Sequence, residues 1–121
     1  MKANNESLEN RLPRYREIKI SVTGRKSGRT VTAPVWFVLE NHTLYLLPVQ
    51  GSNTQWFKNV LKNPSLQIDA RGAMANVKAV PVTDAARVAS VVEKFRAKYG
   101  PADVKKYYST FDVAVEAQLS R

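Results

Sequence analysis

The 121-residue chain has no cysteine, one histidine and no long apolar run, and each absence removes a class of function. Without cysteine there is no thiol nucleophile, no thiolate metal site and no disulfide scaffold, which suits a reducing compartment, so the expected location is the cytoplasm. The longest apolar stretch, residues 33–39, contains Pro34 and is far shorter than a membrane span. Residues 1–16 carry no apolar core of a secretion signal, so neither export by a visible signal nor stable membrane insertion is expected. The lone His42 stands beside Asn41 in a polar stretch, where a solvated turn residue is the ordinary role. Carboxylates are few and scattered. Glu93, Asp103, Asp112 and Glu116 read as solvated faces or helix caps, and no pair has the spacing of a glycosidase or metal site. Acid–base chemistry by the side chains alone is therefore poorly supported. An oxidoreductase escapes that limit, because a cofactor carries the difficult step.

The shortage of acids leaves a surplus of bases: 19 Lys and Arg against 10 Asp and Glu, a net charge of +9. Such a chain attracts anions, whether nucleic acid, an anionic surface or a phosphorylated small molecule. The positive field is weighted to the N-terminal part, where Lys2, Arg11, Arg14, Arg16, Lys19, Arg25, Lys26 and Arg29 face only Glu6, Glu9 and Glu17.

The length suits one core-bearing domain without staples, expected over residues 17–121 after a partly flexible segment, 1–16. Residues 17–22 alternate polar and apolar, the pattern of a half-buried strand. After the glycine-bounded stretch 24–28, a β-rich run resumes over 31–39, with Pro34 marking an edge or bulge. A third strand at 44–47 completes an expected three-stranded meander. Ser52 and Gln55 have the spacing of a capping box, which predicts a helix with Trp56, Val60 and Leu61 inward, ended by Asn63-Pro64. Residues 65–70 and 73–82 read as a hairpin around Arg71-Gly72. A longer helix follows, capped by Thr83 or Asp84, with Val88, Val91, Val92, Phe95 and Tyr99 on one face and Gly100 at its end. Pro101 can open a short helix carrying Tyr107 and Tyr108, and 111–119 alternates as a last strand from Phe111. The expected order is β-β-β-α-β-β-α-α-β, an α+β, mainly β, largely antiparallel fold.

Two segments suit an anionic ligand. The stretch Gly24-Arg25-Lys26-Ser27-Gly28-Arg29 combines turnable backbone N–H groups, a hydroxyl and three cations, the requirements of a phosphate or carboxylate site, and is as readily a charged hairpin turn. Gly51-Ser52, ahead of the first helix, offers free N–H groups at a positive helix end, or simply a cap. Trp36, Tyr45 and Trp56 suit either a ring-stacking cleft or the core.

Taken together, residues 22–29, Pro34-Val35-Trp36-Phe37-Val38, a strand ending near Gly51, and the run Gln55-Trp56-Phe57-Lys58-Asn59-Val60-Leu61-Lys62-Asn63-Pro64 resemble the flavin/deazaflavin oxidoreductase superfamily, the split β-barrel group. Deazaflavin-dependent nitroreductases and quinone reductases are among the members it resembles. The resemblance spans roughly residues 17–119 and implies a split β-barrel with the cofactor's phosphate near the turn and its ring against the barrel. It implies phosphate contacts for Arg25, Lys26 and Ser27, a cofactor loop at Gly51-Ser52, a ring contact for Trp56, and substrate-pocket positions for Tyr99, Tyr107 and Tyr108. Arg29 joins the turn by its charge. Gln50-Gly51-Ser52 stands where those reductases usually carry a lysine and two glycines.

The expectation is a flavin- or deazaflavin-dependent oxidoreductase that passes a hydride to a quinone or nitro compound, with Tyr107 or Tyr108 as proton donor and FMN or the deazaflavin coenzyme F-420 as cofactor. The positive charge favours F-420, with its long anionic tail, whereas the missing lysine at Gln50 favours FMN. A non-catalytic cofactor-binding module and a basic nucleic-acid-binding domain are the alternatives. The second lacks any recognisable motif, so nucleic acid is not an expected partner. A homodimer is expected, because relatives pair across the barrel and residues 35–39 are apolar on both faces.

Overall fold

A computed structural model describes residues 8–119; the first seven residues of the expected N-terminal segment and the last two of the expected domain lie outside the described residues. The chain forms α1 (Leu8–Arg11), a 3-10 turn (Leu12–Arg14), β1 (Ile18–Thr23), β2 (Thr30–Val35), β3 (Phe37–Glu40) and β4 (Thr43–Leu46). A second 3-10 turn (Gly51–Asn53) leads into α2 (Gln55–Lys62), followed by β5 (Ser65–Ala70), β6 (Ala73–Val82), α3 (Ala85–Tyr99), α4 (Pro101–Tyr107) and β7 (Ala114–Gln118). The sheet has seven strands in the order β2-β1-β5-β6-β7-β4-β3, and every neighbouring pair is antiparallel. Long β6 pairs with β5 through residues 73–78 and with β7 through residues 79–82, so it belongs to both halves of the sheet.

The expected meander is corrected at Trp36. The apolar run 31–39 is two strands, not one, and they lie at opposite edges of the sheet: β2 pairs with β1, β3 with β4. Seven strands about 4.8 Å apart would hold those edges roughly 29 Å from each other if the sheet were flat. One intervening residue can span only about 7 Å. The sheet must therefore curl until its edges meet, giving the split β-barrel. Pro34 sits on an edge strand, where its missing N–H breaks no ladder.

The curl creates two cores. Inside the barrel, Ile18, Ile20, Phe37, Leu44, Leu46, Leu66, Ile68 and Val115 are buried, and α2 closes that interior with Trp56, Phe57 and Val60. Outside it, α3 and α4 lay Val88, Val91, Phe95 and Val104, with Tyr108 just past α4, against Val82 and Ala114. Residues 35–39 are apolar on both faces because they serve both cores: Val35, Phe37 and Leu39 pack on the first, Trp36 and Val38 on the second.

The hairpin turn at Arg71-Gly72 takes positive φ at both residues (54° and 97°), as a two-residue turn requires. Asp84 caps α3 by accepting from the Arg87 N–H at 3.0 Å, and Gly100 ends it at φ 95°. The expected cap and stripe of α2 are corrected. Thr54, not Ser52, stands at its N-cap, and Leu61 is 57% exposed while Phe57 turns inward. Phe111, expected to begin the last strand, lies partly exposed ahead of β7.

A clasp fixes the barrel edges at Trp36. The Trp36 ring stacks on Tyr99 with centroids 4.2 Å apart and planes 9° from parallel, and the Arg16 guanidinium lies over both rings, 4.8 and 5.0 Å from their centroids. The Tyr99 hydroxyl accepts from the Phe37 N–H at 3.0 Å and lies 2.8 Å from the carbonyl oxygens of Arg16 and Phe37, either of which takes its proton. Tyr99→Phe leaves the buried Phe37 N–H without its acceptor and is expected to cost about 1–3 kcal/mol, read as a lower urea midpoint; an unchanged midpoint would show that the clasp does not hold the edges.

Candidate functional site

The Gly24-to-Arg29 turn closes on itself through Gly24 N–H to the Arg29 carbonyl (2.7 Å), Gly28 N–H to the Gly24 carbonyl (2.9 Å) and Arg29 N–H to Ser27 Oγ (3.1 Å). Gly28 has φ 73°, a conformation that a side chain would strain. Arg25 ties this turn to α2. Its backbone N–H and its Nη1 both donate to Asn59 Oδ1, at 3.0 and 2.9 Å, and its Nη2 donates to Gln55 Oε1 at 2.9 Å. Asn59 is the one buried polar side chain among the described residues, and Arg25 satisfies it. The two sequence motifs thus form one structural unit. With Arg25 committed to α2, Lys26 and Arg29 remain exposed cations with no acidic partner among the described residues.

The Gly51-Ser52 donors are already engaged. Ser52 donates its N–H to Asp112 Oδ1 at 2.9 Å and its hydroxyl to Asp112 Oδ2 at 2.6 Å. That hydroxyl hydrogen bond holds the Asp112 carboxyl below its ordinary range. Gly51, at φ 57°, is required here, because a Cβ would stand 2.0 Å from Asp112 Oδ1. The two segments are also joined by the Ser109 N–H, which donates to the Val49 carbonyl at 2.9 Å, and by a bridge between Gln50 and Thr110. Asp112, read from sequence as a solvated or capping residue, instead clamps the α4–β7 connection onto the turn before α2.

Where the barrel edges meet, a pocket of about 360 Å³ opens, within the ordinary range of small-molecule sites. Trp36, Trp56, Tyr107 and Tyr108 line it, with Leu47 and Val49 adding aliphatic surface. Both tryptophans of the chain are among these residues. Glu17 is the one carboxylate lining it; its place in a strand-like alternation had given no sign of this.

The sequence-derived residues thus group in three places: Trp56, Tyr107 and Tyr108 in the pocket, Arg25, Lys26, Ser27 and Arg29 in the turn docked on the helix of Trp56, and Gly51-Ser52 in the clamp. Tyr99 stands apart, behind Trp36. Tyr45 packs on the outer core beneath Lys94. His42 occupies the β3–β4 turn at φ 66° and pairs with Glu9.

Burial raises the Tyr108 phenol and pushes Tyr99 up to about 12, so both keep their protons at neutral pH. Partial burial of its ammonium, aided by Arg16, pushes Lys98 down to about 8, and its Nζ donates to the Phe37 carbonyl at 2.9 Å. Between pH 8 and 10 the unfolded chain holds the Lys98 proton more tightly, so stability is expected to rise with pH; above pH 10 the folded tyrosines hold theirs more tightly, so it should fall. Urea midpoints measured from pH 7 to 11 should show that maximum, and Lys98→Met should abolish the rising limb. A wild-type midpoint that does not rise above pH 8 would contradict the partial burial of the Lys98 ammonium.

A family model described as "Uncharacterized protein conserved in bacteria (DUF2255)" matches residues 10–118. Solved structures share the fold at low identity. An F420-H2 dependent reductase (FDR-A) is 18% identical, with a TM-score of 0.66 over 85% of this chain and 94% of its own. HutZ, the heme storage protein from Vibrio cholerae, is 13% identical, with a TM-score of 0.69 over 94% of this chain and 88% of its own. A structure described as a domain-swapped dimer is 18% identical, with a TM-score of 0.68 over 85% of this chain and 80% of its own. No curated protein matches the sequence. Among the described residues no helix is long and apolar enough to cross a membrane.

Proposed function

Since the chain belongs to the DUF2255 family and has the split β-barrel fold of flavin- and deazaflavin-binding proteins, we propose that it is an oxidoreductase that binds FMN or the deazaflavin coenzyme F-420 and passes a hydride to a small organic acceptor, a quinone or nitro compound. The observation that carries this reading is the aromatic pocket at the barrel split, built on the same helix to which the Arg25-to-Arg29 turn is docked. The residues fit such a group. Two indoles and two phenols offer faces to a flat ring, and Lys26, Arg29 and the Ser27 hydroxyl offer donors to a phosphate.

The bound cofactor supplies the hydride; the protein supplies position. Trp36, fixed by Tyr99, and Trp56, fixed on α2, hold the walls still, so that a ring and its acceptor bound there would be held in a fixed orientation. Tyr108, held protonated by burial, keeps a proton at its hydroxyl for the reduced acceptor, while half-exposed Tyr107 shields the mouth from water. Val49 and Tyr107 leave apolar surface at that mouth, which supports a homodimer closing over it, and the absence of cysteine supports the cytoplasm. A heme reading finds less support: His42, the chain's one imidazole, is at the β3–β4 turn and not among the pocket residues.

The purified chain should bind FMN or F-420, and with oxygen excluded reduced cofactor on the protein should be reoxidised only when a quinone or nitro acceptor is added. Lys26→Ala with Arg29→Ala should weaken binding at least about tenfold and leave the unfolding midpoint nearly unchanged, since exposed charges contribute little to stability. Undiminished affinity in the double variant would reject the turn as the phosphate site. Binding without acceptor-dependent reoxidation would make the chain a cofactor-binding module.

A further inference from the structure

In a chain with nearly twice as many bases as acids, a carboxylate without a partner stands out. Every other acid among the described residues either pairs with a base or accepts a hydrogen bond from the backbone. Glu17 alone among the described residues has neither. It is also the one charged residue lining the aromatic pocket. Glu17 precedes β1, whose first pair sets Ile18 against Val35, so it stands beside Trp36, the residue that follows Val35. Burial and, after it, the Glu17 charge raise the Tyr99 phenol behind Trp36, which puts that charge at the same wall. The neighbouring base, Arg16, already pairs with Asp103 at 2.9 Å. Lys26 and Arg29 do not line the pocket, so a phosphate held at their turn leaves the charge inside the pocket to Glu17.

We propose that the pocket selects flat ligands that carry a positive charge, with Glu17 as the specificity-determining residue. A free carboxylate offers a cationic group an ion pair or a charge-assisted hydrogen bond. The rings of Trp36, Trp56, Tyr107 and Tyr108 act in the same direction, because the face of an aromatic ring attracts a cation. An anionic substituent would instead meet an unneutralised carboxylate and no lining base. The inference rests on the reading of this pocket as the acceptor site of an oxidoreductase, and it narrows that acceptor to a quinone or nitro compound bearing an ammonium or alkylated ammonium group. The net charge of +9 repels such a ligand at long range, but charges more than about 8 Å away are largely screened at physiological ionic strength. A carboxylate in contact with the ligand is not screened in that way.

The compounds 4-nitrobenzyltrimethylammonium, 4-nitrobenzyl alcohol and 4-nitrobenzoate share one ring and differ in charge. Each should be titrated into the purified wild type, Glu17→Gln and Glu17→Lys, with binding read from the indole N–H resonances of Trp36 and Trp56. The wild type should bind the cation at least about tenfold more tightly than the anion, the scale of one nearby charge. Glu17→Gln should erase most of that difference and Glu17→Lys should reverse it, while the neutral alcohol changes less than about twofold. Because Glu17 has no partner in the fold, the unfolding midpoint of Glu17→Gln should match that of the wild type. A wild type that does not bind the cation, or binds the anion as tightly, would overturn the proposal, as would variants that keep the wild-type order or weaken all three ligands alike. FMN and F-420 titrated alongside keep the two readings apart. If neither cofactor binds, the oxidoreductase reading fails and the three probes alone judge Glu17; a cofactor that binds without the charge preference removes only the role of Glu17.

Discussion

The fold depends on one covalent constraint: a single residue, Trp36, joins strands that lie at the two edges of a seven-stranded sheet. A chain so connected cannot leave its sheet open and flat, and β2 and β3 do not pair, so the barrel closes in space without closing its hydrogen bonds. The linking residue is large and flat, and it is held from behind by a nearly parallel Tyr99 ring. Aromatic pairs of this kind contribute about 0.5–1.5 kcal/mol beyond their burial. The same residue that makes the topology possible becomes a wall of the pocket. Position and function are thereby coupled, since loosening the clasp moves the wall.

The rest of the site is organised by α2. It presents Trp56 to the pocket, receives the basic turn through Asn59 and Gln55, and follows a 3-10 turn whose donors are engaged by Asp112. Buried Asn59 would be costly without Arg25, so fold stability and the placement of the cationic turn come from the same hydrogen bonds. Net charge alone suggested only that anions are attracted. The structure instead docks the cationic turn on α2 and engages the Ser52 donors with Asp112.

Much of this was legible in the sequence, for definable reasons. Period-2 alternation placed β1, and the hairpin of β5 and β6 was read around Arg71-Gly72. On α3, Asp84, five buried apolar residues and Gly100 agreed at every position, because cap, stripe and stop are local signals. The break at Trp36 was hidden because a segment covered on both faces is apolar throughout and shows no period. Ser52 was misplaced as a cap because its true partner, Asp112, is sixty residues away, and local spacing carries no information about it. Trp36, Trp56, Tyr107 and Tyr108 were all singled out beforehand, but their convergence on one pocket needed the curl of the sheet. The paired turn and helix motifs carried the resemblance to split-barrel proteins, and Arg25 on Asn59 is the physical reason that they belong together.

Because the only two tryptophans both line the pocket, their indole N–H resonances report on it. Adding FMN to the isotope-labelled protein and following those two signals tests the central claim directly. The account predicts that both indoles shift together with the backbone amides of Lys26 and Arg29. Shifts that spare both indoles, or that gather instead in the groove between β3 and α3 around Val38 and Lys94, would contradict it.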